Sequence, residues 1–358
     1  MKLFSKLVSL LIVFVLFMSA CSSSDDSTKD GFDRKAFLNE AVVSVILPSI
    51  ETFYDDVLTL DQHIQTLVEN PNESSLVVAQ NSWKTAYLSW QAVSILTIGP
   101  ASTEGLRKSL FEEMGTFPVS EEKIEQRIES GSYNLSDFDR DARGLFTIEY
   151  LLFGKPNPFD QKSITFLKAV SADALSRIEE VKTAWNDQQI TDFIENNGTD
   201  AGSSTSEYYN EYVKSFEVLK NFKIGLPLGL RPGQTQAEPK LVEAFYSKSM
   251  SLKGAKYHFE QIKTIWLGPE NGIGFKGYLR TVSGGVALIE STENQFAVVD
   301  SVFSRFIVET EILSELVAEN DERVISLHTE LQRLTRYLKS ELSSLIGIAI
   351  TYSSSDGD

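Results

Sequence analysis

Apolar residues recur every three or four positions through most of this chain, and that spacing admits few architectures. Leu76, Ala79, Trp83, Ala86, Trp90 and Val93 fall on one face of a helix. Val299, Val302, Phe306, Leu313 and Leu316 repeat the pattern, and Val324, Leu327, Leu331, Leu334, Leu338, Leu342 and Leu345 carry it towards the C-terminus. Residues 37–67 read as a further long helix, which Pro48 starts or kinks. No succession of segments alternates with period two, so a sheet is not expected. The chain reads as all-α, and helices of this length pack as bundles.

Breaks are expected at residues 69–72, 154–158, 196–206 and 226–239. The last is rich in Gly and Pro yet apolar, which marks an ordered crossover. It divides a helical-bundle domain at 33–224 from a second at 225–358. One helix runs into Gly99-Pro100 and a later one into Gly268-Pro269. Gly-Pro is a good helix stop, and the echo suggests two bundles related by duplication.

The N-terminus carries an address. Lys2 and Lys6 precede an apolar run from Leu7 to Met18, interrupted by Ser9, and Ser19-Ala20 supply small residues for cleavage. The run is too short to span a bilayer and reads as a signal peptide over 1–20. Cys21, the only cysteine, follows directly in a lipobox arrangement, with Met18 where Leu is usual. Acylation of Cys21, with chains such as palmitate, would tether the protein. Each buried CH₂ contributes about 0.8 kcal/mol, so two or three chains anchor durably. Residues 21–32 then form a polar, flexible tether. Its Ser/Asp cluster fits either an export signal for the cell surface or a spacer in the periplasm. The location expected is the bacterial outer membrane, on one face or the other.

Removing Lys2 and Lys6 leaves 31 basic residues against 50 acidic, a formal charge of −19 in place of −17. Such a surface repels phosphate backbones, so nucleic acid is not an expected partner. With its only cysteine acylated, the chain has no disulfide to hold the fold, and the core must do so. There is no His-Glu-x-x-His, no Gly-x-Ser-x-Gly and no Gly-rich phosphate loop. His63, His258 and His328 lie far apart in sequence. These residues do not describe an enzyme.

One segment stands out. Glu149 is a lone acid within an apolar run from Gly144 to Phe153. In a helix it would be buried and would need a partner. It is therefore either a cation ligand or polar anchor in an interior cavity, or a structural acid that accepts backbone hydrogen bonds.

Residues 143–154 also resemble the signature of the imelysin-like family, Gly-x-His-x-x-Glu followed by Leu-Leu-Phe/Trp-Gly. Residues 83–100, 114–124, 223–229 and 245–247 and the closing stretch 345–358 resemble further family elements in the same order. The resemblance implies two helical bundles with a site between them near the motif, and a role in iron uptake at the envelope. Its peptidase name has no persuasive catalytic set behind it. This chain keeps Gly144 and Glu149 but has Phe146 where the motif has His. Phe offers no lone pair, so only the Glu149 carboxylate remains of a His/Glu metal pair. The expectation is an envelope lipoprotein that binds a ligand or partner in the cleft, linked to iron or haem acquisition and to an uptake receptor. Glu149, Phe146, Gly144, Trp90, Tyr246 and Arg231 are the candidate site residues, with Glu149 the one candidate ligand for iron. The alternatives are an imelysin-type metallopeptidase and a surface lipoprotein that binds a polymer or host protein.

Overall fold

The computed structural model describes residues 31–352, apart from 103–108, 132, 134, 136, 232 and 270–271. The signal peptide, Cys21, most of the tether and residues 353–358 lie outside the described residues. Among those described, every regular element is helical and none is a strand. The all-α expectation holds.

The first helix, α1, runs Arg34–Glu69. Asp33 caps it by accepting the Ala36 N–H at 2.9 Å. Pro48 stands in the first turn of the regular α-helical segment Leu47–Glu69 within it. The helix widens into a π-turn at Val42–Ile46 just ahead of the proline, which has no N–H to give to the preceding turn. The Ser49 hydroxyl donates to the Val45 carbonyl at 2.6 Å and helps satisfy the opened backbone. By length and composition α1 could cross a membrane, but Phe37, Phe53, Leu60 and Ile64 on it are fully buried against other helices. That is also the signature of a core helix.

Helix α2, Glu73–Val93, begins with a capping box in which the Asn72 side chain accepts from Ser75 N–H and the Ser75 hydroxyl receives the Asn72 N–H. It ends at Val93, well before Gly99-Pro100. Ile95 and Ile98 turn into the core there and are fully buried, which pulls the chain out of the helix early. The expected stop at Gly99-Pro100 is thus corrected. Only the second Gly-Pro, at Gly268, directly caps a helix, so the pair of ends does not argue for duplication.

Next come α3 (Leu110–Met114), α4 (Glu121–Ser130), α5 (Gly144–Glu149) and α6 (Gln161–Ala184). α1 packs on α2 and α6, and α5 fills the angle between α2 and α6. This is the first bundle. After α7 (Asp187–Glu195), α8 (Ser204–Glu217) continues through a π-helical stretch, Val218–Gly225. The crossover follows, and then α9 (Met250–Leu267), α10 (Phe275–Leu279), α11 (Gly285–Phe303), α12 (Leu313–Ala318), α13 (Glu322–Thr335) and α14 (Leu342–Ile346). α8 packs on α9, and Val218–Gly225 packs on α13, so the 204–225 helix groups with the C-terminal bundle. The 224/225 position falls at the far end of that helix. From Asp33 onward the chain forms one compact unit, with α2 and α9 in contact between the bundles.

Leu60 is completely buried at the centre of α1, whereas Val286 on α11 is 68% exposed. Leu60→Ala is expected to lower unfolding free energy by about 2–5 kcal/mol, and Val286→Ala to change it by less than about 0.5 kcal/mol. Urea denaturation of the two variants checks this.

Candidate functional site

The motif helix α5 is pinned from both sides. The Trp83 indole N–H on α2 donates to the Leu145 carbonyl at 2.8 Å. Gly144 sits at φ 74°, where a side chain is disfavoured, and a Cβ there would lie 2.6 Å from the Glu113 carbonyl oxygen. The motif glycine is therefore required by backbone conformation and close approach.

Phe146 and Glu149 follow on one face of α5 and both are buried. The Phe146 ring meets Tyr87 edge-on at 6.1 Å and Phe117 at 5.5 Å between centroids. Immediately after Glu149 the helix opens into a π-turn, Tyr150–Gly154, a feature that often accompanies functional positions. Part of the crossover, residues 242–249, lies across this face. Its Ser247 N–H donates to Glu149 Oε1 at 2.8 Å. Burial pushes the Glu149 carboxyl up to about 8, opposed by hydrogen bonds from Ser247 and the Tyr246 backbone and reinforced by Glu243. Two non-glycine residues in this stretch, Ala244 and Lys248, both adopt φ 56°, a left-handed backbone that costs about 1–2 kcal/mol each.

Beneath the stretch lies a cavity of about 30 Å³, lined by Phe117, Phe146, Glu149, Ala244, Phe245 and Tyr246 among others. That is room for about one or two waters. Tyr246 reaches outward: its hydroxyl donates to Glu121 at 2.6 Å, and its ring meets Tyr150 at 5.1 Å. Glu149, Phe146 and Tyr246 thus come together, and Gly144 shapes their helix. Trp90 and Arg231 do not join them. Trp90 is core, 5.4 Å from the Phe53 ring. The Arg231 guanidinium lies 4.2 Å over Phe222 in the crossover turn.

Sequence reasoning missed a second buried cluster beside the first. Glu243 Oε1 receives the Tyr87 hydroxyl at 2.8 Å, the Gln91 amide at 3.2 Å and the Lys223 ammonium at 3.0 Å. Lys223 also donates to Gln91 Oε1. Burial lowers the affinity of Lys223 for its proton, and Glu243 pulls the other way. Glu243 was open to the argument used for Glu149: it is a lone acid in an apolar run, residues 241–245. Tyr87 is held close by Gly254 on α9, where a Cβ would come within 2.1 Å of its hydroxyl. His258, also on α9, is fully buried with Nε2 2.9 Å from the Ser215 hydroxyl. Burial and the nearby Lys223 charge push its pKa well below the ordinary histidine range.

A metal does not fit the motif face. Phe146 offers no lone pair, and one oxygen of the Glu149 carboxyl is committed to Ser247. No group of three or more His, Cys, Asp or Glu able to hold an ion occurs among the described residues. A larger groove, about 740 Å³, opens elsewhere between Gly99-Pro100 and α8. Its polar groups serve the fold: Glu207 accepts Gly99 N–H at 3.0 Å, Glu211 accepts Thr97 Oγ1 at 2.9 Å and Lys214 at 2.8 Å, and Asn210 accepts Thr351 N–H at 2.8 Å.

Two predictions follow from these charges. Glu149 binds its proton more tightly folded than unfolded, so between its unfolded value of 4.5 and about 8 the native state holds the extra proton. Stability should fall as pH rises through that window, with a limiting slope of about 1.4 kcal/mol per pH unit from this group. Glu149→Gln keeps an acceptor for Ser247 and abolishes the titration, so its stability relative to wild type should improve from pH 5 to pH 8 in urea melts. Lys223→Met leaves Glu243 buried without its cation and should cost about 3–5 kcal/mol, with much of the loss recovered in Lys223→Met/Glu243→Leu, as denaturation of both variants will show.

The chain is 25% identical over 226 residues to Iron-regulated protein A of Synechococcus elongatus, covering 58% of this chain and 57% of that protein. It thus spans a little over half the length of that relative. The fold superposes on an imelysin-like protein from Psychrobacter arcticum with a TM-score of 0.73 at 14% identity, over 89% of this chain and 97% of the other. It superposes equally on a protein assigned as an iron-regulated protein A precursor from Parabacteroides distasonis, with a TM-score of 0.72 at 16% identity over 90% and 97%. The family model described as Imelysin (Peptidase M75) matches residues 46–339, and with the motif helix in its place the chain belongs to the imelysin family.

Proposed function

We propose that this chain is a non-enzymatic binding protein of the bacterial envelope that serves iron or haem acquisition. It is held to the outer membrane through acylated Cys21 and takes a ligand or partner protein beside Glu149, where the crossover meets the first bundle. The observation that carries this reading is the setting of Glu149, buried between aromatic walls with the Ser247 N–H on one oxygen at 2.8 Å. Such a carboxyl, pushed up by its burial, suits hydrogen bonding and packing better than cation coordination or hydrolysis. The iron link rests on the likeness to Iron-regulated protein A. An uptake receptor in the same membrane is the partner this location favours. The metallopeptidase alternative needs a His/Glu metal pair, and Phe146 removes half of it.

Growth under iron limitation tests the reading. With haemin or ferric citrate as the limiting iron source, a deletion strain should grow more slowly and hold less cell iron. The wild-type gene should restore both, whereas Cys21→Ser should not. Unimpaired growth and iron content of the deletion strain on both sources would contradict the proposal.

A further inference from the structure

The cavity beside Glu149 is narrow and only partly open to the surface. At about 30 Å³ it admits water and nothing the size of an iron chelate or a porphyrin. On the crossover side it is lined by Lys240, Val242, Ala244, Phe245 and Tyr246, and Phe245–Ser247 is the stretch of that side that passes over Glu149. That stretch is bounded by Ala244 and Lys248, both at φ 56°. Neither is glycine, so the two residues where this short stretch joins the chain both hold a disfavoured backbone. Such residues persist only where surrounding contacts hold them.

Within the stretch the Ser247 hydroxyl donates to the Ala244 carbonyl at 3.1 Å, and the contacts the stretch makes outward end on the first bundle. The Ser247 N–H is committed to the Glu149 carboxyl at 2.8 Å. The Tyr246 hydroxyl is committed to Glu121 at 2.6 Å, at the surface. The Tyr246 ring rests on Tyr150 and on Gly154, where a Cβ would come within 2.6 Å of it. Outside the stretch, support is firmer. Ser251 Oγ, in the first turn of α9, donates to the Ala244 carbonyl at 3.1 Å, and the neighbouring Glu243 holds its three donors. The chain is therefore anchored on both sides of three residues that are themselves held by a latch.

We infer that Phe245–Ser247 is a flap hinged at Ala244 and Lys248 and latched by Glu149, and that its outward rotation opens the motif pocket. Rotation at the two hinges relaxes the left-handed backbone, so the closed form stores strain that the latch balances. Opening carries Phe245 and Tyr246 away and widens the 30 Å³ space, uncovering Phe117, Phe146 and Glu149. Glu243, Tyr87 and Lys223 stay in place, so the bundles need not separate. The motif acid is then the catch of the pocket as well as part of its wall. This inference rests on the binding reading above for what the opened pocket receives.

Hydrogen exchange of the full chain, resolved to residues 244–250, tests the flap. In wild type the 245–247 amides should exchange at least tenfold faster than the buried centre of α9. Glu149→Ala should speed them at least a further tenfold with α2 and α9 unchanged. Tyr246→Phe, which spares the core, should give a smaller rise in the same stretch. Ala244→Gly/Lys248→Gly should slow it, because glycine accepts the closed backbone without strain. Exchange of 245–247 at the rate of α9 in wild type and in Tyr246→Phe overturns the flap, even if Glu149→Ala fails to fold. Haemin and ferric citrate separate the two ideas. Haemin bound with flap exchange unaltered overturns the flap and leaves the binding reading. Fast local exchange with neither probe bound supports the flap and removes that reading.

Discussion

The two helical groups depend on a buried polar seam between them. Glu243, from the crossover, gathers Tyr87 and Gln91 from α2 and Lys223 from the end of the 204–225 helix onto a single carboxylate oxygen. Both charged partners are almost completely buried, at 3% and 4% side-chain exposure. Burying such a pair is costly, and the Tyr87 hydroxyl and the Gln91 amide offset part of that cost by donating to the same carboxylate. Once the seam is set, the crossover has one path across α5, and Ser247 arrives over Glu149. The geometry of the motif is therefore a consequence of the joint between bundles as much as of α5 itself.

Much of this architecture was legible in the chain. Periodicity located the long helices, and the breaks at 69–72, 154–158 and 196–206 fall where helices end and restart, because Asn72, Asp160 and Ser203 cap the helices that follow. A lone acid in an apolar run correctly marked Glu149 as buried. Pairing was not legible. Lys223 reads as one cation of an amphipathic stretch, and only the tertiary fold brings it to Glu243, twenty residues on. Gly99-Pro100 misled for a related reason: inward-facing Ile95 and Ile98 end α2 before it. Trp90 was chosen as a cleft residue by its aromaticity, and packing against Phe53 uses it in the core. Nothing local distinguishes those two uses of a Trp.

The substitution at Phe146 gives the site its character. In place of a group that could share a cation with Glu149, it sets an apolar ring against Tyr87 and Phe117. Burial then raises the carboxyl, and the backbone of the crossover takes up one oxygen. The chain retains the family's helix, glycine and acid with a different chemistry at their centre. A buried acid between aromatic rings, its carboxyl pushed up by burial, is better placed to hydrogen-bond and pack than to hold a cation.

The protonation state of Glu149 is the point on which this account turns. Infrared difference spectroscopy of wild type against Glu149→Gln at neutral pH reads it directly. The account predicts that the variant loses a protonated carboxylic C=O band, and that ferric iron leaves this band in the wild type unmoved. Loss of an ionised carboxylate band in its place, or a shift of the Glu149 band when ferric iron is added, would contradict it.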